Sequence, residues 1–202
     1  MAKRTTGTTP FREIADRPLP IVRHAEGETF HRIHNSKRTP LWFGPGPAQK
    51  PGGRFDAPRR QYRILYAGLS LEAAFAETLL RTPANRILSI TDLEARTISS
   101  GRFTRPLRLV RLHGAGLKRL GVAADTILGP YPICRALALA LWSHSDEPDG
   151  IAYRSRFDND EICIALFDRA RDGVEIVESA EMMSDWNRIG GLLDRYGVGL
   201  DV

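Results

Sequence analysis

A chain of 202 residues, 42% hydrophobic and 26% charged, can bury one sizeable core and is too short for two comfortable domains. Its first twenty residues, MAKRTTGTTPFREIADRPLP, carry no apolar secretory core, and the longest apolar run, Ala136 to Trp142, is far too short to cross a bilayer; a cytoplasmic protein without membrane association is expected. The net charge of +5 comes mostly from arginines dispersed along the chain, which suits anionic small molecules, phosphates or an acidic partner, while no motif supports direct nucleic-acid binding.

Residues 1 to 28 read as an N-terminal extension with a short helical piece around Phe11 to Asp16, ended by Pro18 and Pro20. ETFHRIH alternates as a first strand, with Phe30 and Ile33 expected near one another and Arg32 on the other face. Asn35 to Tyr62 holds five prolines and four glycines in 28 residues, long for a structureless connection and therefore expected to be functional. Lys37, Arg38, Lys50, Arg54, Arg59 and Arg60 share that loop with one acid, Asp56. RILYAGL reads as a buried strand, and Ser70 as the N-cap of a helix over LEAAFAETLLR.

RILSITDL and PLRLVRLHG look like further strands, and Pro132 to Ser143 like a deeply buried helix. GIAYRS and EICIALFD are strands around the loop FDND, VEIVESAEM is an edge strand, and SDWNRIGGLLDRYG is a closing helix weakened by Gly190 and Gly191. No repeat or linker divides the chain. The organisation is one α+β domain, with a core over residues 29–178 and a C-terminal helical segment, 179–202, packing on it.

Chemistry concentrates in a few places. On a helical wheel Leu71, Ala74, Phe75, Thr78 and Leu79 form one stripe, and Glu77 lies just beyond its edge. Ala73, Ala76 and Leu80 leave the opposite side small or apolar, so this helix is expected to be covered on more than one side. A carboxylate there needs a partner or a ligand; an ion pair with Arg81 at i,i+4 and an active-site role both satisfy that demand. Arg54 follows Gly52-Gly53, either an ordinary turn or a device that brings a planar guanidinium fork close to a pyrophosphate. Tyr66 is either a core tyrosine or a wall of the crevice that Glu77 faces. In YRSR, Tyr153 and Ser155 share one face and Arg154 and Arg156 the other. Ser155 lacks the glycines and the His–Asp pair of a catalytic serine, so it reads as a binding residue. The histidines show no metal spacing, with His31 and His34 read as a solvated pair, and Cys134 and Cys163 read as buried thiols, so no metal is expected.

Taken in order, FHRI (Arg32), PGGRFD (Arg54), ILYAG (Tyr66), AAFAETLL (Glu77) and IAYRSRFDN (Ser155) resemble the RES-domain family, over about Phe30 to Asp168. Asp56 stands where that family often has asparagine. The resemblance implies an ADP-ribosyltransferase-like fold and a toxin of a bacterial type II toxin–antitoxin pair that takes NAD+ as substrate. It further implies glycohydrolase, phosphorylase or mono-ADP-ribosyltransferase chemistry, with water, phosphate or a protein side chain as acceptor. The implied partner is an Xre-like antitoxin, through which alone nucleic acid is contacted. Carried onto this chain, Glu77 would steady the developing cation, hold a ribose hydroxyl or orient the acceptor, Arg32 and Arg54 would clamp the pyrophosphate beside Gly53, Tyr66 would pack on nicotinamide or ribose, and Ser155 would hydrogen-bond the nicotinamide end or a ribose. Two other classes remain to be told apart from this one: an RNA-binding or ribonuclease toxin using the arginine-rich loop, and an inactive antitoxin-binding domain.

Overall fold

The computed structural model describes residues 11–82, 84 and 86–201. Its centre is a sheet of eight strands, in spatial order β1 (Ile21–His24), β6 (Leu107–Leu112), β7 (Gly150–Arg154), β8 (Ile162–Phe167), β3 (Ile64–Gly68), β2 (Thr29–Asn35), β5 (Arg96–Phe103) and β9 (Val174–Glu181). Neighbours pair antiparallel except β6 and β7. Helices α1 (Leu71–Leu79), α2 (Ile90–Glu94), α3 (Ala115–Leu120), α4 (Ala124–Leu128), α5 (Tyr131–Trp142) and α6 (Trp186–Tyr196) flank it, and β4 (Ile87–Ser89) pairs in parallel with β10 (Gly199–Asp201) as a separate two-stranded sheet. The architecture is the expected α+β domain, and no described helix is long and apolar enough to cross a membrane.

The strand β3 and the helix α1 follow from local sequence. ILYAG is buried at four of its five positions, as a central strand should be. Ser70 is extended, and its hydroxyl accepts a hydrogen bond from the Ala73 amide, which caps α1. The turn between strand and helix is tight: a Cβ on Gly68 would lie 2.6 Å from the Ala74 nitrogen and from the Ser70 oxygen. Ala73, Ala74, Phe75 and Ala76 are all buried, so α1 is covered on more than one side, as its small residues foretold.

Elsewhere the structure corrects the expectations. RILSITDL is a strand only over Ile87–Ser89; the chain then turns into α2, whose first amide, Ile90 N–H, donates to the Asp201 carboxylate at 2.9 Å. A cap supplied from the far end of the chain leaves no local signal. The strand β5 was not foreseen because its inward positions include polar Ser99, which is fully buried and bridges His34 Nε2 at 2.9 Å and Ser179 Oγ at 2.7 Å. The short helices α3 and α4 were also not foreseen. Burial of α5 is one-sided: Cys134, Leu137, Ala138 and Leu141 are buried, while Ile133 is 44% exposed. Phe30 and Ile33 fall in separate core clusters, because positions three apart in a strand point to opposite faces.

His31 and His34 are not a solvated pair. His34 is buried, and His31 is half-buried with Nδ1 3.1 Å from Ser100 Oγ. Burial lowers the pKa of both; Arg32 lowers His34 further, and Arg188 lowers His31 further. A histidine whose folded pKa is depressed takes up protons more readily in the unfolded chain, so stability falls as pH drops through and below the ordinary histidine range. The melting temperature is therefore expected to fall between about pH 7.5 and about pH 5.5, and less steeply in His34→Asn, as followed by thermal denaturation. An equal slope in the variant would remove His34 as a source.

Candidate functional site

A cleft of about 690 Å³ is lined by the neighbouring strands β2 and β3 and by the helix α1. The Asn35–Tyr62 loop supplies much of its wall, held to the sheet by a bridge between Gly44 and Ile64. Arg38, Lys50 and Arg54 of that loop line the cleft, joined by Arg32, Arg81 and Arg96; the acids there are Glu77 and Asp56. Lys37, Arg59 and Arg60 lie away from it. Six basic groups against two carboxylates give the cleft a strongly positive field.

The Gly-Gly-Arg turn is built as a rigid cradle. One oxygen of Asp56 accepts the amides of Gly52 (2.8 Å) and Gly53 (2.7 Å), and the other accepts the Tyr66 hydroxyl at 2.9 Å. Tyr66 Oη in turn accepts the Phe55 amide at 2.9 Å. From the other side Arg135 of α5 donates to the carbonyls of Gly53 and Pro51, each at 3.0 Å. Gly53 is required by this crowding: a Cβ there would lie 2.5 Å from Tyr66 Oη and 2.6 Å from Asp56 Oδ1. Gly53→Ala is expected to cost about 1–3 kcal/mol of stability, read by urea denaturation, because a buried methyl without room forces its neighbours apart. A variant as stable as the parent would show that the cradle is soft.

Arg54 projects from this cradle. It is 7% exposed, its guanidinium lies 5.5 Å from the ring centre of Tyr153 and 5.8 Å from that of Phe55, and its buried Nη1 meets no acceptor among the described residues. An unsatisfied buried donor costs about 1–3 kcal/mol, so a guanidinium held this way is poised for an anionic ligand. Arg96 Nε in the same wall is likewise buried without an acceptor among the described residues.

Glu77 lines the same cleft as Tyr153 and Arg54, and the Tyr153 phenol responds to both; burial, then Cys163 and Glu77, raise its pKa well above the ordinary value while Arg54 opposes. Glu77 does not pair with Arg81 through its carboxylate: Arg81 Nε donates to the Glu77 backbone oxygen at 3.1 Å. Instead Glu77 Oε1 accepts the Ser155 hydroxyl at 3.0 Å and the Arg156 amide at 2.8 Å. Its Oε2 meets no donor among the described residues, leaving one oxygen for a ligand.

The residues singled out in the sequence thus converge, with divided roles. Arg32, Gly53, Arg54, Tyr66 and Glu77 all line the cleft. Arg32 is partly committed, donating to the carbonyls of Pro40 and Trp42, and burial, then Arg38, push its pKa down to about 10. Tyr66 presents its ring, while burial and then Asp56 hold its phenol pKa well above the ordinary value, so the hydroxyl keeps its proton. Ser155 is buried behind Glu77, its Oγ also accepting the amides of Phe157 (3.1 Å) and Asp158 (3.2 Å). Sequence reasoning missed Arg135, Arg96, Trp42 and Tyr131 as parts of this site. Only Trp42, beside Arg38 at 4.5 Å in a Gly/Pro-rich loop, carried a local hint. Among the described residues, no group of three or more His, Cys, Asp or Glu gathers for a metal.

Three comparisons place this geometry among known proteins. The model of the RES domain family matches residues 29–187. A protein described as probable toxin y4kH, from Sinorhizobium fredii (strain NBRC 101917 / NGR234), is 29% identical over 112 residues, covering 55% of this chain and 87% of that protein. In fold, the chain resembles one in the crystal structure of the M. tuberculosis MbcT-MbcA toxin–antitoxin complex, with a TM-score of 0.66 and 20% identity over 93% of this chain and 96% of the other.

Proposed function

The chain belongs to the RES domain family, and from that premise we propose that it is the toxin of a toxin–antitoxin pair and cleaves the nicotinamide–ribose bond of NAD+. The observation that carries this reading is that one cleft is lined by a buried guanidinium whose Nη1 meets no acceptor, and a carboxylate whose Oε2 meets no donor, among the described residues. Those two groups match the two ends of the proposed substrate. The Arg54 fork suits the pyrophosphate, with Arg32, Arg38, Lys50 and Arg96 adding positive field. The Glu77 carboxylate suits the ribose carbon that becomes cationic.

In the proposed reaction the C1–N bond breaks heterolytically. Its electron pair stays with the ring nitrogen, so the pyridinium leaves as neutral nicotinamide, and the ribose becomes oxocarbenium-like, as in glycoside cleavage. A fixed carboxylate beside that carbon stabilises the developing charge without reorganising at the moment of reaction. Ser155 and the Arg156 amide hold Glu77 in place, and Tyr66 and Tyr153 line the cleft with it and Arg54. An acceptor then adds to C1: water gives ADP-ribose and a proton, phosphate gives ADP-ribose-1″-phosphate, and a protein side chain gives an ADP-ribosylated protein. The proposed partner is an antitoxin of the Xre-like kind, the proposed compartment is the cytoplasm, and no metal takes part.

One experiment tests the reading. Purified protein is incubated with NAD+, with and without phosphate and cell lysate, and the products are followed by mass spectrometry. Free nicotinamide with one of the three ribosyl products is expected. Intact NAD+ in every condition would overturn the reading, and steeply salt-dependent RNA binding alongside it would favour a nucleic-acid toxin instead.

A further inference from the structure

The oxygen of Glu77 that is not free is held by a short loop, and that loop is fastened from the end of α6. Ser155 and Arg156, which donate to Glu77 Oε1, begin the turn that runs to Glu161. Inside it, Ser155 Oγ accepts the amides of Phe157 and Asp158, and the Ser155 amide donates to the Glu161 carbonyl at 2.9 Å. Both ends of this turn run into the sheet, where Arg154 of β7 pairs with Ile162 of β8. Its far side is anchored by Tyr196, whose hydroxyl donates to Asp158 Oδ2 at 2.8 Å, with a longer approach of 3.4 Å to the Glu72 carbonyl.

The same tyrosine also touches the helix that carries Glu77. Its ring stacks on Phe75, two residues before Glu77, with ring centres 5.7 Å apart and planes 9° from parallel. Next to it Arg195 donates to Glu161 Oε1 at 2.9 Å, while the other Glu161 oxygen meets the hydroxyl of Ser70, the N-cap of α1. The end of α6 therefore spans the two parts that must stay in register for Glu77 to keep its donors, the helix α1 and the Ser155–Glu161 turn. Burial, then the Asp158 carboxylate, hold the Tyr196 phenol above its ordinary value, so it remains a donor at neutral pH.

We propose that Tyr196 is a positioning residue of this site, locking the Ser155–Glu161 turn through Asp158 so that Ser155 and the Arg156 amide aim the Glu77 carboxylate into the cleft. The effect on turnover rests on the reading that Glu77 serves NAD+ cleavage; the effect on Glu77's hydrogen bonds does not.

Tyr196→Phe removes the hydroxyl and keeps the stack on Phe75, so the variant is expected to fold with a near-parental melting temperature. It should lower kcat for NAD+ cleavage about tenfold while KM for NAD+ stays within about twofold, because misaimed chemistry slows the step without loosening the pyrophosphate end. Asp158→Ala should lower kcat at least as much, because it also removes the acceptor of the Asp160 amide (3.0 Å) and the carboxylate 3.6 Å from Arg195, and the double variant should lose no more than Asp158→Ala alone, since the Tyr196 connection is then already cut. Independently of activity, the Arg156 amide proton in ¹H–¹⁵N spectra should move upfield in Tyr196→Phe, as it should in Glu77→Ala. An unmoved Arg156 signal overturns the proposal whether or not NAD+ is cleaved, and so does unchanged kcat in Tyr196→Phe when the parent is active. A shifted Arg156 signal in a parent background that leaves NAD+ intact supports the positioning role and sinks the functional reading alone.

Discussion

Glu77→Gln is expected to abolish NAD+ cleavage, lowering nicotinamide release about 10³-fold, the scale on which a single preorganised electrostatic group acts. The substitution is informative because it leaves the packing in place. Glutamine keeps an oxygen that can accept the Ser155 hydroxyl and the Arg156 amide, which meet Glu77 Oε1 at 3.0 and 2.8 Å. What it removes is the charge, and in place of Oε2, which meets no donor among the described residues, it puts an amide that would point hydrogens toward a cationic carbon. The melting temperature should therefore stay within about 2 °C of the parent, well inside the range for substitutions that create neither cavity nor buried charge. A variant that keeps nicotinamide release would show that the carboxylate only ties the Ser155 turn to α1.

Arg54→Ala should weaken NAD+ binding by about 30- to 100-fold, measured as Kd by calorimetry or as KM, which matches the 2–3 kcal/mol typical of a charge-assisted hydrogen-bond pair. Stability should change little. The guanidinium is buried, with Nη1 meeting no acceptor among the described residues, so truncation relieves a desolvated donor while it gives up the approach to the Tyr153 and Phe55 rings. The cradle that carries it depends on Asp56, Tyr66 and Arg135 bonds to the backbone and not on the Arg54 side chain. Unchanged affinity would remove Arg54 from the site; a collapse in stability would make it a structural cation. The contrast with Glu77→Gln is diagnostic: one change strikes binding of the anionic end, the other the chemical step.

Much of this site was legible before any coordinates. Ser70 followed by an alanine-rich segment specifies a capped helix packed on several sides, and four consecutive buried residues in α1 show why the side chains are small. A Pro/Gly-rich loop of that length with six basic residues points to a ligand-facing wall, although only half of those cations reach the cleft. What misled was periodicity used over too short a span. Phe30 and Ile33, three apart, lie on opposite faces of their strand, and RILSITDL patterns as one strand although a carboxylate from residue 201 caps a helix inside it. The strand Arg96–Phe103 escaped because its buried serine is satisfied by His34 and Ser179, a polar pairing that hydrophobic patterning does not register.

The sequence by itself determined the capped strand-to-helix unit of the site, the turn that presents Arg54, the helix that carries Glu77 and the family to which the chain belongs. These rest on interactions within a few residues, or on motifs in series, and local chemistry encodes both. Partnership was decided only by the tertiary structure. Glu77 could satisfy its burial through Arg81, four residues away, and through Ser155, 78 residues away, and nothing local ranks one above the other. The choice follows from β7 lying beside β8 and β8 beside β3, which brings the end of β7 over α1. Likewise the rigidity of the Gly-Gly-Arg turn comes from Arg135, 82 residues beyond Gly53, so its role exists only once α5 is packed against the sheet.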